Sequence, residues 1–239
     1  MHDEKIGGLR TVLAGGLDRR GGGDGPVVTL LHGFGANGDD LVGLWRAIDV
    51  PREVRFAFPE APLALAGYGG GSYAWWMIDM ERWQAAVRGA VTPEQFYDDV
   101  PEGLAEARAV AQGWLEALGA RLGVGLDRVV LGGFSQGAAL AVDLALRAPV
   151  APAGLVVLSG ALVNRGEWSQ LLRGARGAPL FQSHGTRDPI LPFFVGEALH
   201  ALLNSGPYPG ELLRFLGGHE IPLPVVARLG TYLRERLVR

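Results

Sequence analysis

The sequence predicts an α/β fold: a mostly parallel central sheet with helices packed on both faces. Three observations predict it. Short apolar runs alternate with helical patterns along the chain. Most of those runs lack the in–out alternation of a half-exposed strand, so they read as strands buried on both faces. The chain has 239 residues, 48% of them hydrophobic, enough for one large core. A single domain over 1–239 is therefore expected, with an aromatic active-site loop or small cap at about 67–92.

The elements follow in order. The charged start, Met1-His2-Asp3-Glu4-Lys5, reads as a tail. Residues 9–14 and 26–31 are strand-like, and the Gly- and Asp-rich stretch between them reads as a turn linker. The pair is expected as an antiparallel hairpin. A helical pattern spans 39–48, with Asn37 as its cap. Further strands are expected at 54–58, 128–132, 154–158, 179–183 and 212–216. Helices are expected at 93–122, 136–147, 192–203 and 223–237. The last carries Val226, Leu229, Leu233 and Leu237 at near-helical spacing. Residues 67–92 fit neither period, hence the expected cap.

Composition removes several classes of function. With a net charge of -3 and no basic run, the chain offers nothing to neutralise phosphates, so no nucleic acid is expected as partner. The absence of cysteine excludes disulfide scaffolds, thiolate metal sites and thiol nucleophiles. The sole lysine, Lys5, lies in the charged start, so a Walker-type loop or a pyridoxal Schiff base has no lysine to use. No close histidine pair is present, and no metal is expected. The longest uncharged stretch, 61–78, is broken by Pro62 and four glycines and cannot be a spanning helix. No apolar leader follows the charged start, and a cytoplasmic protein is expected.

In such sheets, ligands sit beyond the C-terminal strand ends. Ser135, Asp188 and His219 fall on three of those ends. Gly133-x-Ser135-x-Gly137 has the form of a nucleophile elbow, in which a serine sits on a tight strand-to-helix turn. Glycines on either side let strand and helix approach, and the helix would aim its positive end at developing negative charge. The pattern is short and carries an ordinary false-positive risk; its place between an apolar strand and an apolar helix is what gives it weight. His219, after Gly217-Gly218, is flexible enough to place a ring over the sheet edge as general base. His32 and His184 each precede glycine and read as structural. Asp188, before Pro189, is the favoured acid; Glu167 is the reserve, and a turn or capping role for Asp188 is the bland alternative.

Gly33-x-Gly35-x-x-Gly38 offers two readings. One is a dinucleotide fingerprint with Glu60 as the ribose acid, giving an NAD-dependent oxidoreductase. Asp39 and Asp40 would repel a pyrophosphate there, which disfavours it. The other is an oxyanion loop, with the backbone N–H of Phe34 and that of Gln136 as donors. Tyr73, Trp75, Trp76 and Met77 form an aromatic cluster that reads either as core or as pocket wall. With Phe193 and Phe194 they are expected to line an acyl pocket.

Four blocks resemble the phospholipase/carboxylesterase family, which includes acyl-protein thioesterases and small bacterial carboxylesterases. They are Leu31-His32-Gly33-Phe34-Gly35, Gly132-Gly133-Phe134-Ser135-Gln136-Gly137, His184-Gly185-Thr186-Arg187-Asp188-Pro189 and Gly218-His219-Glu220-Ile221. They stand in family order over about residues 26 to 237, and the glutamine after the serine is fairly specific. The sequence departs from the family pattern at 73–88: Trp75-Trp76-Met77-Ile78-Asp79 is only similar to the usual Trp-aromatic-Asp element, and 81–91 looks inserted. The resemblance implies an α/β-hydrolase fold, Ser135 as nucleophile, His219 as base, Asp188 as its orienter, and Phe34 and Gln136 as oxyanion donors. The expectation is a serine carboxylesterase for short- to medium-chain acyl esters, with no cofactor and a small-molecule ester as partner. An acyl thioesterase or lysophospholipase on the same residues is the alternative, and the sequence allows a homodimer.

Overall fold

The structure, a computed structural model, describes residues 1–66, 71–79, 81 and 97–237. In chain order the elements are strands β1 (His2–Ile6), β2 (Leu9–Gly15) and β3 (Val27–Thr29), helix α1 (Leu44–Ala47), and strands β4 (Arg55–Pro59), β5 (Leu63–Ala64) and β6 (Tyr73–Ala74). Then come α2 (Leu104–Leu122), β7 (Val129–Phe134), α3 (Gln136–Leu146), β8 (Gly154–Leu158), α4 (Arg165–Leu171), β9 (Leu180–Gly185), α5 (Phe193–Asn204), β10 (Gly210–Phe215) and α6 (Leu223–Leu237). Among the described residues, eight strands form one sheet in the order β1-β2-β4-β3-β7-β8-β9-β10. The pairs β1–β2 and β2–β4 are antiparallel, and every pair from β4 to β10 is parallel.

The expected hairpin of 9–14 with 26–31 does not form. β4 lies between β2 and β3, and the hairpin partner of β2 is β1, the charged start that reads as a tail. Gly7 and Gly8 make the turn, both at positive φ (53° and 90°), the backbone that matches the twist of paired strands. The 15–25 stretch instead closes on itself: Leu17 N–H donates to the Gly22 carbonyl, and the Asp18 carboxylate accepts from the N–H of Arg20 and Gly22. β3 is buried throughout and takes parallel partners on both edges.

The helix expected at 39–48 shrinks to Leu44–Ala47. Before it the chain runs through turns, with Asp40 N–H to the Asn37 carbonyl and Val42 N–H to the Asp39 carbonyl. Asn37 therefore caps no helix: its Oδ1 accepts the Asp39 N–H at 3.0 Å within these turns, while α1 starts after Gly43 with no side-chain cap. Of the helix expected at 93–122, the described part is Leu104–Leu122. Most of the cap expected at 67–92 lies outside the described residues. Helix α4 has no counterpart in the expectations.

Helices cover both faces. One core cluster joins Trp75, Trp114 and Trp168 with residues of α2, α3 and α5. The other packs Val225, Val226, Leu229 and Leu233 of α6 on the opposite face. Every residue of α3 is buried, and its alanines let it lie close on β7 and β8. Among the described residues, no helix is long and apolar enough to cross a membrane.

Candidate active site

Ser135 sits between β7 and α3 at φ 55° and ψ −119°. A positive φ at a non-glycine residue costs energy and is held only by its surroundings. Here they hold it firmly. Ser135 N–H donates to the Leu158 carbonyl at 2.9 Å, and its carbonyl accepts from Ala138 and Ala139. The flanking glycines have no room for a side chain. A Cβ on Gly137 would lie 2.1 Å from the Leu31 carbonyl oxygen, and one on Gly133 would lie 2.4 Å from the Gly137 carbonyl carbon. The tightness of the turn is what lifts Ser135 out of the strand.

Asp188 and His219 come from the loops after β9 and β10. These loops are pressed together: a Cβ on Gly185 would lie 2.2 Å from the Gly218 oxygen, and Arg187 N–H donates to the Gly217 carbonyl at 2.9 Å. His219 Nδ1 lies 2.7 Å from Asp188 Oδ2. Asp188 Oδ1 accepts the N–H of Ile190 and of Leu191, each at 2.8 Å. Burial works against the charge on Asp188. The hydrogen bonds from His219, Leu191 and Ile190 outweigh it and hold the carboxyl below the usual carboxylate range. The His219 ring rests against Phe134, centroids 4.7 Å apart, which brings it to the neighbour of Ser135.

The reserve acid is engaged elsewhere. Glu167 pairs with Arg147 at 2.6 Å and accepts from Asn164. The Arg147 guanidinium holds its carboxyl below the usual range. His32 and His184 are buried and tied to backbone. His32 Nδ1 contacts the Gly33 carbonyl at 2.8 Å, and its Nε2 accepts the Ala61 N–H at 3.0 Å. His184 Nε2 donates to the Leu191 carbonyl at 2.7 Å, bracing the turn that carries Asp188. Burial pushes the pKa of both rings down.

The loop 33–38 is built for packing rather than for a pyrophosphate. Helix α1 begins only at Leu44, so no helix N-terminus opens at these glycines. Glu60, the ribose-acid candidate, accepts the Gly38 N–H and pairs with Arg10, which also pairs with Asp39. A Cβ on Gly38 would lie 2.9 Å from the Glu60 Cβ. The dinucleotide reading is set aside on these grounds.

Segment 73–76 is stitched to that loop. Gly35 N–H donates to the Tyr73 carbonyl at 2.9 Å, and Tyr73 N–H to the Ala36 carbonyl at 2.8 Å. The Trp75 indole N–H donates to the His32 carbonyl at 3.0 Å. Trp75 and Trp76 are 1% and 4% exposed and belong to the core cluster. The core alternative thus describes their packing, while Tyr73 is half-buried beside them. Met77 and Phe194 are exposed. Phe193 lies edge-on to His184 with the Arg214 guanidinium over its ring. Sequence reasoning reads His184 as structural without assigning it the brace beneath Asp188, and it misses the Gln136 side chain. Gln136 is 6% exposed; its Oε1 accepts the Trp75 N–H at 3.0 Å and its Nε2 donates to the Trp76 carbonyl at 2.8 Å.

With this geometry in view, similarity to known proteins can be read. The family profile described as phospholipase/carboxylesterase matches residues 22–235. An acyl-protein thioesterase 1 of Neurospora crassa is 26% identical over 227 residues, 88% of this chain and 86% of that protein. An acyl-protein thioesterase 1 of Eremothecium gossypii is 30% identical over 182 residues, 74% of this chain and 72% of that protein. Among solved structures, esterase PE8 superposes with a TM-score of 0.79 at 28% identity, over 96% of this chain and 99% of that one. A Bacillus cereus carboxylesterase shares the fold, with a TM-score of 0.71 at 21% identity, over 95% of this chain and 94% of that one.

Proposed function

Since the chain belongs to the phospholipase/carboxylesterase family of α/β-hydrolases, we propose that it cleaves carboxylic esters through a covalent acyl-enzyme on Ser135. The Ser135 hydroxyl attacks the ester carbonyl while His219 Nε2 takes its proton. Asp188 accepts the Nδ1–H of the ring and stabilises the imidazolium that forms. The backbone N–H of Phe34 and of Gln136 donate to the oxyanion. Collapse of the tetrahedral intermediate expels the alcohol, which receives the proton from His219. Water then repeats the sequence on the acyl-enzyme and frees the acid. No cofactor enters these steps.

The observation that carries the reading is the 2.7 Å bond between His219 and Asp188, beside a serine held at positive φ. The acyl pocket belongs to the same proposal, with the half-buried Tyr73 and Phe193 as its walls; Trp75 and Trp76 pack in the core and act only by filling volume that a longer acyl chain would need. Thioester cleavage is the second reading, supported by the relatives named acyl-protein thioesterases. It uses the same groups and a thiolate leaving group that needs less help from the acid.

A fluorophosphonate probe tests the proposal. It should label the wild type and not Ser135→Ala, which should lose at least about 10⁴-fold in kcat while keeping its fold. Normal turnover by that variant would remove Ser135 from the role. Parallel assays on p-nitrophenyl esters and acyl thioesters of matched chain length then rank the two readings.

A further inference from the structure

The side chain of Gln136 has no part in the chemistry above, yet it is buried and both ends of its amide are engaged. It pairs with the N–H of Trp75 and the carbonyl of Trp76, much as a peptide group pairs in a strand ladder. The same segment is bonded to the 33–36 loop through Tyr73 and Gly35, Tyr73 and Ala36, and Trp75 and His32. A closed circuit of hydrogen bonds therefore runs from the start of α3, through 73–76, to the loop that carries Phe34. The two oxyanion donors stand on the two arms of that circuit.

We propose that the Gln136 side chain is a positioning residue: by clamping Trp75 and Trp76 it sets the separation of the two arms that donate to the oxyanion. The proposal rests on the acyl-enzyme reading. It also accounts for the residue type after the nucleophile. A backbone N–H could come from any residue, but this clamp needs a donor and an acceptor on one side chain. Asparagine is a methylene too short to keep the same reach, and leucine or methionine offers neither group.

The test uses the full chain with Gln136→Met and Gln136→Glu, assayed on p-nitrophenyl butyrate. Gln136→Met keeps the volume and loses both bonds. Its kcat should fall about ten- to a hundredfold, with KM within about twofold, because the oxyanion contacts are made in the transition state. Gln136→Glu can imitate the amide only when protonated. Ionised, its carboxylate faces the Trp76 carbonyl, and burial beside that oxygen raises its pKa. The ratio of its kcat to that of the wild type should therefore fall as pH rises from about 6 to about 9. A general packing defect would not give that slope.

A Gln136→Met variant with kcat within about twofold of wild type overturns the clamp, as does a loss carried wholly by KM. So does a pH-independent ratio for Gln136→Glu. If the methionine variant does not fold, the pH ratio of the glutamate variant, with folding checked by circular dichroism, decides alone. Failure of the wild type to react with a fluorophosphonate at Ser135 would sink the acyl-enzyme reading and the clamp with it. Normal labelling with unimpaired variants would sink the clamp only.

Discussion

His219 Nδ1 and Asp188 Oδ2 meet at 2.7 Å, and the other carboxylate oxygen is already taken by the N–H of Ile190 and Leu191. The carboxylate is pinned at one end and offers a single oxygen to the ring. That fixes the tautomer: Nδ1 donates, and Nε2 is left as the acceptor.

Asp188→Asn exploits this arrangement. The asparagine oxygen would keep the two backbone N–H groups and turn its NH₂ toward His219. The ring must then accept at Nδ1 and carry its proton on Nε2, where it cannot take one from serine. kcat should fall on the order of 10⁴-fold. Glu167→Gln, at a residue paired with Arg147, should leave kcat within about twofold. Steady-state kinetics on both variants test this, and the opposite ranking would mean that Glu167 is the acid.

Ser135→Gly should trade activity for stability. Glycine tolerates φ 55°, ψ −119° at little cost, while serine is strained there. After allowance for the extra freedom of glycine in the unfolded chain, a net gain of about 1 kcal/mol is expected. Urea unfolding measures it. A less stable variant would show that the turn stores no strain.

Gly137→Ala and Gly113→Ala should have opposite effects. A methyl at 137 meets the Leu31 carbonyl oxygen at 2.1 Å, backbone that cannot move aside, and should cost at least about 3 kcal/mol. A methyl at 113, in α2, meets nothing within 4 Å and should add about 0.5–1 kcal/mol through helix propensity. Equal melting temperatures for the two variants would contradict the packing described at the turn.

Acid should weaken the fold through His32 and His184. Burial holds both pKa values below the ordinary histidine value. Below about pH 6.5 the unfolded chain binds protons that the folded rings refuse, so stability is full above that pH and declines beneath it. Each ring contributes a slope of up to about 1.4 kcal/mol per pH unit. Asp188, with its lowered pKa, matters only below about pH 3.8 and does not enter this window. Urea unfolding at about pH 7 and about pH 5.5 should show the decline, and His184→Gln should make it shallower. An unchanged slope in that variant would mean that the ring takes up its proton without unfolding.

Local chemistry makes much of this molecule legible in its sequence. Ser135, Asp188 and His219 each follow the C-terminal end of a strand, and short apolar runs with glycine-rich exits mark those ends. The buried parallel strands announce themselves by lacking alternation. Strand partners do not. Whether β2 pairs with β3 or with β4 is decided by which neighbours bury both edges of β3, a long-range matter. The charged β1 is hidden because an edge strand exposes alternate residues and can be as polar as a tail, with His2 to Ile6 showing that pattern. The clamp of Gln136 is hidden for a different reason. It depends on how segment 73–76 folds back, and no period in the chain encodes that.

The placement of β3 has a consequence for synthesis. This strand leaves the ribosome early, yet one of its partners, β7, comes much later, and the loops bearing Asp188 and His219 later still. Contacts between such distant parts of a chain form slowly, because closing the intervening loop costs entropy before any contact rewards it. The proposed site draws on segments from Gly33 to His219, so it is assembled only when almost the whole chain is available. A growing chain stalled before β10 holds a complete serine turn and no histidine beside it. On the proposed mechanism such a chain has no general base until β10 has docked.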